Sequence, residues 1–306
     1  MTAPTDSPIG LTSIVPRQYV HRAAVSEVLL TGWRPTAAAD TFIVDAQWPR
    51  GHAVFAQSDG YQDAMLLVES VRQVGSLLAH AEFGVAFGHQ FLMRFISFAA
   101  TPELLAATPA PTEVELHTVC RDIVRRGKNL SGLHYEVIAK VDGVALATAG
   151  AAFSCTGPAV YKRLRGERPM RTRLRPGHAI DPRRVGRVDP QHVVLSEDAL
   201  GRANTWELRV DTGHPIFFDH PVDHVPGMVL LEAARQAAYA ATGLADALLL
   251  DLDSSFERYV ELDAPCVIEA TPAGVDAGGD ALVDVRGIQF DRTVFTARLA
   301  LRPRIR

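Results

Sequence analysis

An internal repeat constrains this chain more than any other feature of its sequence. Glu69, Arg72 and Gln73 recur as Glu232, Arg235 and Gln236, each shifted by 163 positions within the 306 residues. Both triplets open apolar stretches that follow a His-led loop. The upstream copy begins at His52 and the downstream copy at His214. A repeat this long means that one supersecondary unit is built twice, so the chain has to be read as two related halves.

The flanking segments keep the same order. Val28-Leu-Leu30 and Thr41–Asp45 precede the first loop, and Val193-Val-Leu195 and Thr205–Val210 precede the second. After the helical stretch, Met93-Arg-Phe95 and Glu257-Arg-Tyr259 read as a further matching pair. Each half then ends in strict alternation, as in Glu113–Cys120, Leu133–Val141 and Ala145–Phe153, and again in Cys266–Ala270, Leu282–Phe290 and Val294–Leu301. Alternation of period two predicts half-buried antiparallel strands. The expectation is an α+β fold, a tandem (double) hot-dog, with each half an antiparallel sheet wrapped around one long helix. An isolated unit of this kind leaves a sheet edge exposed. Two fused copies close that edge within one chain, and a homodimer beyond this stays open. The expected boundaries are a first repeat with its N-terminal extension over 1–156, a basic Pro/Arg-rich linker over 157–190, and a second repeat over 191–306.

Composition excludes several function classes. The net charge of −4 gives no reason to expect nucleic acid or an anionic membrane as partner, and no helix-turn-helix signal accompanies the linker arginines. No apolar run approaches the length of a membrane span. The first residues, Met-Thr-Ala-Pro-Thr-Asp-Ser-Pro, lack the pattern of a signal peptide, so a cytoplasmic protein is expected. Cys120, Cys155 and Cys266 are too scattered for a disulfide framework or a zinc pattern and read as buried free thiols. The linker carries Lys162, Arg163, Arg165, Arg168, Arg171, Arg173, Arg175, Arg183, Arg184 and Arg187 among five prolines. It reads as an extended, solvated connector; the sharper alternative is that some of these arginines dock an acidic carrier protein or hold a phosphate.

Met228–Ala241 is apolar on most faces, as in a helix buried nearly all round. Glu232, Arg235, Gln236 and Tyr239 share one stripe of it. An acid and a base on a buried stripe form either a structural ion pair or a functional one. The preceding loop places Asp219, His220, Asp223 and His224 before Pro226-Gly227. These residue types suit acid/base work, the capping of a helix, or, with no specific metal spacing to support it, metal binding. Gly227 allows close approach of a backbone or ligand, and the free N–H groups of the following turn suit an oxyanion or phosphate. In the upstream copy this loop has become Gln57, Ser58, Asp59, Gly60, Tyr61, Gln62 and Asp63, so the loop chemistry is expected in the second half.

At these residues the chain resembles the AfsA family of A-factor biosynthesis proteins, which are γ-butyrolactone synthases. The resemblance rests on Val20-His-Arg-Ala-Ala24, on Glu27-Val-Leu-Leu-Thr-Gly-Trp33, on the block Phe217–Gln236 and on the two-repeat layout. A looser likeness reaches the hot-dog dehydratases, whose Gly-to-Glu spacing is kept by Gly227 and Glu232. Their histidine position is occupied by Phe218, and His220 lies two residues later, which points away from dehydration.

The AfsA resemblance implies transfer of a β-ketoacyl group from an acyl carrier protein thioester to the hydroxyl of dihydroxyacetone phosphate, then cyclisation to a butenolide phosphate. No cofactor and no metal are implied. It places the acid/base residues on Glu69, Glu232 and Arg235. Local chemistry is compatible with this: a carboxylate in a dry helix can have its pKa raised toward neutrality, and an arginine fork suits a phosphate. The expected roles are Glu232 as base, Arg235 as orienter of base or phosphate, and His220 with Asp219 at the thioester. Glu69 completes that site or a pseudo-symmetric one, with Arg72, Gln73, Gln236, Gly227, His224 and Asp223 contacting substrate. The alternatives are a hot-dog thioesterase or dehydratase, and a butyrolactone-binding regulator without turnover.

Overall fold

The computed structural model describes residues 12–56, 60–172 and 176–304; Gln57, Ser58, Asp59, Arg173 and Arg175 lie outside them. The first half runs β1 (Leu30–Pro35), β2 (Thr41–Trp48), α1 (Met65–Ala81), β3 (Gln90–Ala100), β4 (Thr112–Arg126), β5 (Asn129–Val141) and β6 (Val144–Thr156). A short helix α2 (Pro158–Arg165) leads to the second half: β7 (Leu195–Glu197), β8 (Thr205–Leu208), α3 (Gly227–Thr242), β9 (Leu248–Phe256), β10 (Val267–Val275), β11 (Ala281–Gln289) and β12 (Arg292–Arg302). Alternation in the sequence becomes alternation in burial: along β2 every second side chain, from Phe42 to Trp48, is buried.

All these strands join one antiparallel sheet in the order β1-β2-β4-β5-β6-β3-β9-β12-β11-β10-β8-β7. From either outer edge to the middle the order is the same. The middle is the β3–β9 pair, with Phe95 opposite Ser255 and Ala99 opposite Asp251. The halves therefore share a continuous ladder. α1 packs on the first-half strands and α3 on the second-half strands. α1 is held at a fixed depth by polar pins as well as apolar packing. Trp48 Nε1 donates to Ser70 Oγ at 3.0 Å and Tyr135 Oη to the Val71 carbonyl at 2.8 Å. Gly75 permits the second pin, since a Cβ there would sit 2.5 Å from Tyr135 Oη.

Two expectations are corrected. Residues 157–190 are not an extended solvated connector throughout: α2 forms at their start, short 3₁₀ turns cover Pro182–Val185 and Pro190–His192, and Arg165 is buried. Arg165 is drawn in by Glu261, at 2.6 and 2.9 Å, and by Asp223, while its guanidinium lies 4.1 Å from the Tyr259 ring centre. The second correction concerns Met93–Phe95 and Glu257–Tyr259. The former lies near the start of β3 and the latter just beyond β9, so they are not equivalent positions. Three-residue likeness is too short to fix register when each half has its own loop lengths. The three cysteines are free and buried, as expected. No helix among the described residues is long and apolar enough to cross a membrane.

Candidate functional site

Each long helix carries a buried carboxylate gripped in the same way. On α1, Glu69 accepts from Arg72 Nε and Nη2, both at 2.8 Å, from Arg22 at 2.7 and 3.0 Å, and from Gln73 Nε2 at 2.7 Å. On α3, Glu232 accepts from Arg235 Nη2 at 2.6 Å, from Arg187 at 2.6 and 3.0 Å, and from Gln236 Nε2 at 2.6 Å. The glutamines also tie their helices to the strand entry, Gln73 through Leu29 N–H and the Glu27 carbonyl, Gln236 through Val194 N–H and the His192 carbonyl. Arg22 and Arg187 cross between halves: Arg22 donates to the Ile216 carbonyl and Arg187 to the Val54 carbonyl. Burial works against the Glu69 carboxylate, but Arg22 and Arg72 overcome it and hold the pKa down at about 2. Glu69 is therefore held as an anion between two arginines.

The helix starts differ. Asp63 precedes α1; its Oδ1 accepts Met65 N–H at 2.9 Å and Arg235 Nη1 at 2.6 Å, and its Oδ2 lies 3.7 Å from Arg187. Burial opposes the Asp63 charge, yet Arg235 and Arg187 keep its pKa below the ordinary carboxylate value. Both terminal nitrogens of Arg235 are thus engaged by carboxylates. The position matching Asp63 in the second half is Pro226, which has no carboxylate, and α3 has no side-chain cap. Arg72 correspondingly makes its bonds through Nε and Nη2, leaving Nη1 without a protein acceptor among the described residues.

A cavity of about 500 Å³ opens on this unfilled side. It is lined by His21, Arg22 and Arg72 from the first half and by Asp219, His220, His224, Gly227 and Met228 from the second. Phe91, Met93, Phe153, Phe217, Phe256 and Val260 give it apolar walls, and Arg258 stands at the lining. The N-terminus of α3 faces it through Gly227 and Met228, a setting that favours an anion or an incipient oxyanion. Gly227 sits close against the wall: a Cβ would come 3.3 Å from the Phe256 ring, which would have to yield slightly.

The loop histidines pair with their neighbouring aspartates. His220 Nδ1 lies 3.2 Å from Asp219 Oδ2, and His224 Nδ1 lies 2.7 Å from Asp223 Oδ1. Such contacts leave Nε2 of each ring for other work. The aspartates themselves are committed elsewhere. Asp219 accepts the N–H groups of Ala23 and Ala24 at 2.5 and 2.9 Å, latching the second-half loop onto the segment after His21. Asp223 accepts from Tyr161 at 2.7 Å and from Arg165, anchoring α2. For both, burial opposes ionisation and hydrogen bonding prevails, so their pKa values fall below the ordinary range.

The expected site is therefore divided. Arg72, Asp219, His220, His224 and Gly227 meet at one cavity. Arg235 faces a different one, beside Asp63, Arg187 and Tyr239, and the fully buried Glu232 lines neither. Placing Glu232 and Arg235 with the His/Asp loop is corrected: a loop in this arrangement meets the helix of the other half. Sequence reading missed His21, Arg22, Arg187 and Asp63. The signal for the arginines was present, since Val20-x-Arg22 and Val185-x-Arg187 repeat with the spacing of Leu29 and Val194. His214, by contrast, is buried away from the cavity; its Nδ1 accepts Ile216 and Phe217 N–H, as His52 does for Val54 and Phe55.

The A-factor biosynthesis hotdog domain model matches residues 4–157 and 171–303. A Streptomyces virginiae protein described as 2-oxo-3-(phosphooxy)propyl 3-oxoalkanoate synthase is 50% identical over 293 residues, covering 95% of this chain and 99% of that protein. A Streptomyces coelicolor protein of the same description is 38% identical, covering 94% and 91%. Among solved structures, the 12:0-ACP thioesterase from Umbellularia californica superposes with a TM-score of 0.53 at 11% identity, covering 86% of this chain and 94% of that one. An acyl-ACP thioesterase from Bacteroides thetaiotaomicron gives 0.50 at 10% identity, covering 85% and 97%. At such identities the structural likeness speaks for the fold alone.

Proposed function

The chain belongs to the A-factor biosynthesis hotdog family, and from that premise we propose that it transfers a β-ketoacyl group from an acyl carrier protein thioester to the primary hydroxyl of dihydroxyacetone phosphate. The product is a 2-oxo-3-(phosphooxy)propyl 3-oxoalkanoate, the ester in the descriptions of its relatives. Its activated methylene lies within reach of its own ketone, so intramolecular aldol-type condensation then closes a butenolide phosphate. The fold is read as two hot-dog units over 1–156 and 191–306 joined by 157–190, acting in the cytoplasm. The β3–β9 seam takes the place of a dimer, and any homodimer is left to the outer strands β1 and β7.

The observation that carries this reading is the cavity between α1 and α3. It combines a guanidinium with one nitrogen to spare, an uncapped helix N-terminus and apolar walls. An acyl tail suits the aromatic wall. A phosphate suits Arg72 Nη1, whose orientation Glu69 and Gln73 fix. The Gly227 and Met228 N–H groups suit the thioester oxygen as charge develops on it. His220 and His224, held by Asp219 and Asp223, are suited to proton exchange at the product ketone during ring closure. Glu232, Arg235 and Gln236 act in this reading as a brace for the twin position.

The test is mass spectrometry of the products formed by purified protein, β-ketoacyl thioester and dihydroxyacetone phosphate. The phosphorylated ester or its butenolide is expected only when both substrates are present. Free acid or enoyl thioester formed without dihydroxyacetone phosphate would replace this reading with a thioesterase or dehydratase. Tight butyrolactone binding with no product would replace it with a regulator.

A further inference from the structure

His21 sits in the left-handed region, with φ of 54°, at the end of a 3₁₀ turn over Arg17–Val20. The matching position in the second half, after the turn over Pro182–Val185, is Gly186 with φ of 65°. This backbone conformation belongs to glycine; a side chain there carries a cost of about 1 kcal/mol or more. The first half accepts that cost and the second does not. In the second half a Cβ at Gly186 would fall 2.4 Å from the Ala245 carbonyl, so no histidine fits. The partner of His21 is likewise confined to the first half: His80, near the end of α1, corresponds to Gly243 after α3.

The hydrogen bonds of this pair determine their tautomers. His80 Nδ1 lies 2.6 Å from the Val85 carbonyl, which only accepts, so Nδ1 of His80 carries the proton. In neutral His80 the Nε2 is then an acceptor. It lies 2.7 Å from His21 Nε2, which must donate to it. His21 is left with a bare lone pair on Nδ1, and no protein donor among the described residues meets it. His21 lines the cavity that also holds Arg72 and His220.

We propose that His21 is the base of the transfer, with His80 the positioning residue that fixes its tautomer. The proposal rests on the function above and deepens it. Nδ1 of His21 takes the hydroxyl proton of dihydroxyacetone phosphate as that oxygen bonds to the thioester carbonyl carbon. When the tetrahedral adduct collapses, the carbon–sulfur bond breaks and the same proton passes to the leaving thiolate. One O–H and one C–S bond are exchanged for one C–O and one S–H bond, and His21 returns to its starting state. Burial first, then Arg72, His80 and His220, lower the His21 pKa to about 3, so the ring is unprotonated before substrate arrives. A phosphate dianion on Arg72 offsets that positive field and strengthens the base once substrate is bound.

His21→Gly tests this, because it installs the residue that the second half uses. The expected result is a loss of ester formation on the order of 100-fold or more, the usual span of a general base, with a melting temperature no lower than wild type. A rate within about twofold of wild type would overturn the proposal. His80→Gln keeps an acceptor for His21 Nε2 and is expected to retain the rate, whereas His80→Met is expected to lose it; equal losses in both would overturn the positioning role of His80. Nitrogen-15 spectra of the histidine rings provide a readout independent of turnover, with His21 expected as the Nε2–H and His80 as the Nδ1–H tautomer. The reverse assignment would sink the proposal even if the variants folded poorly. A wild-type protein that made no ester would defeat the proposed function instead, leaving the tautomer assignment standing.

Discussion

The α1 and α3 faces begin from the same Glu-x-x-Arg-Gln pattern and end in different electrostatic states. On α3, Asp63 from the opposite half lies against Arg235, so two carboxylates and two arginines neutralise one another at the wall of the second cavity. On α1 the place of Asp63 is taken by Pro226, and Arg72 faces a cavity with a nitrogen to spare. The difference teaches that a single carboxylate at the mouth of one helix decides whether a buried arginine braces the fold or remains available to a ligand. Closed, the pair acts on stability; open, it can act on substrate.

The largest effect that would break this contrast is on stability. Glu232→Ala leaves Arg187 and Arg235 with Asp63 alone to balance two buried guanidinium groups, and the unfolding free energy is expected to fall by about 3–5 kcal/mol, read by denaturant titration. A small loss would mean that water enters the α3 cluster and that it is not closed. Next comes Arg72→Met, which removes the spare donor. Its kcat/KM for dihydroxyacetone phosphate is expected to drop on the order of 100-fold, the worth of one or two charge-assisted hydrogen bonds. Arg235→Met should leave KM unchanged in whatever fraction stays folded. If the two arginines exchange these behaviours, the open and closed assignments are the wrong way round.

Asp63→Asn sharpens the contrast by trying to open the closed twin. It keeps an acceptor for Met65 N–H but removes the charge facing Arg235. The expected cost is about 1.5–3 kcal/mol of stability. Calorimetry with inorganic phosphate is expected to show a second binding event absent from the wild type. Acid pH probes the clamp itself. Glu69 has a folded pKa near 2 against an ordinary value of 4.5, so its stabilisation is complete above about 4.5 and is lost as pH falls toward 2. Acid unfolding of Glu69→Gln should be flatter across that window; an unchanged slope would show that Glu69 is not the group titrating. The smallest effect belongs to Gly227→Ala. The matching first-half residue is Ala64, which already carries a Cβ, whereas at Gly227 the Phe256 ring must yield a few tenths of an ångström. A cost of about 1 kcal/mol and a few-fold change in KM for the thioester are expected.

The strand alternation and both helices were legible because they depend on periodicity along the chain. Glu69 and Glu232 could be singled out because an acid in an apolar helix needs a partner. Which partner it takes was not legible. Arg22 and Arg187 lie 47 and 45 positions from the carboxylates they bind, and their shared spacing marks them as a pair without saying which acid each one meets. Burial alone would raise the Glu69 pKa; it is lowered because Arg72 on the same helix is joined by Arg22 from a segment distant in sequence.

The sequence by itself determined two apolar helices, each with an acid, an arginine and a glutamine on one stripe, among strands of alternating burial. Only the tertiary structure decided which loop faces which helix. The halves pair antiparallel through β3 and β9, so each helix mouth is completed by the other copy. That crossing sets Asp63 against Arg235, and leaves Arg72 and His21 facing the His/Asp loop of the second half. Local pattern specifies what a segment buries; the long-range pairing of two sheets specifies whose charge it meets there.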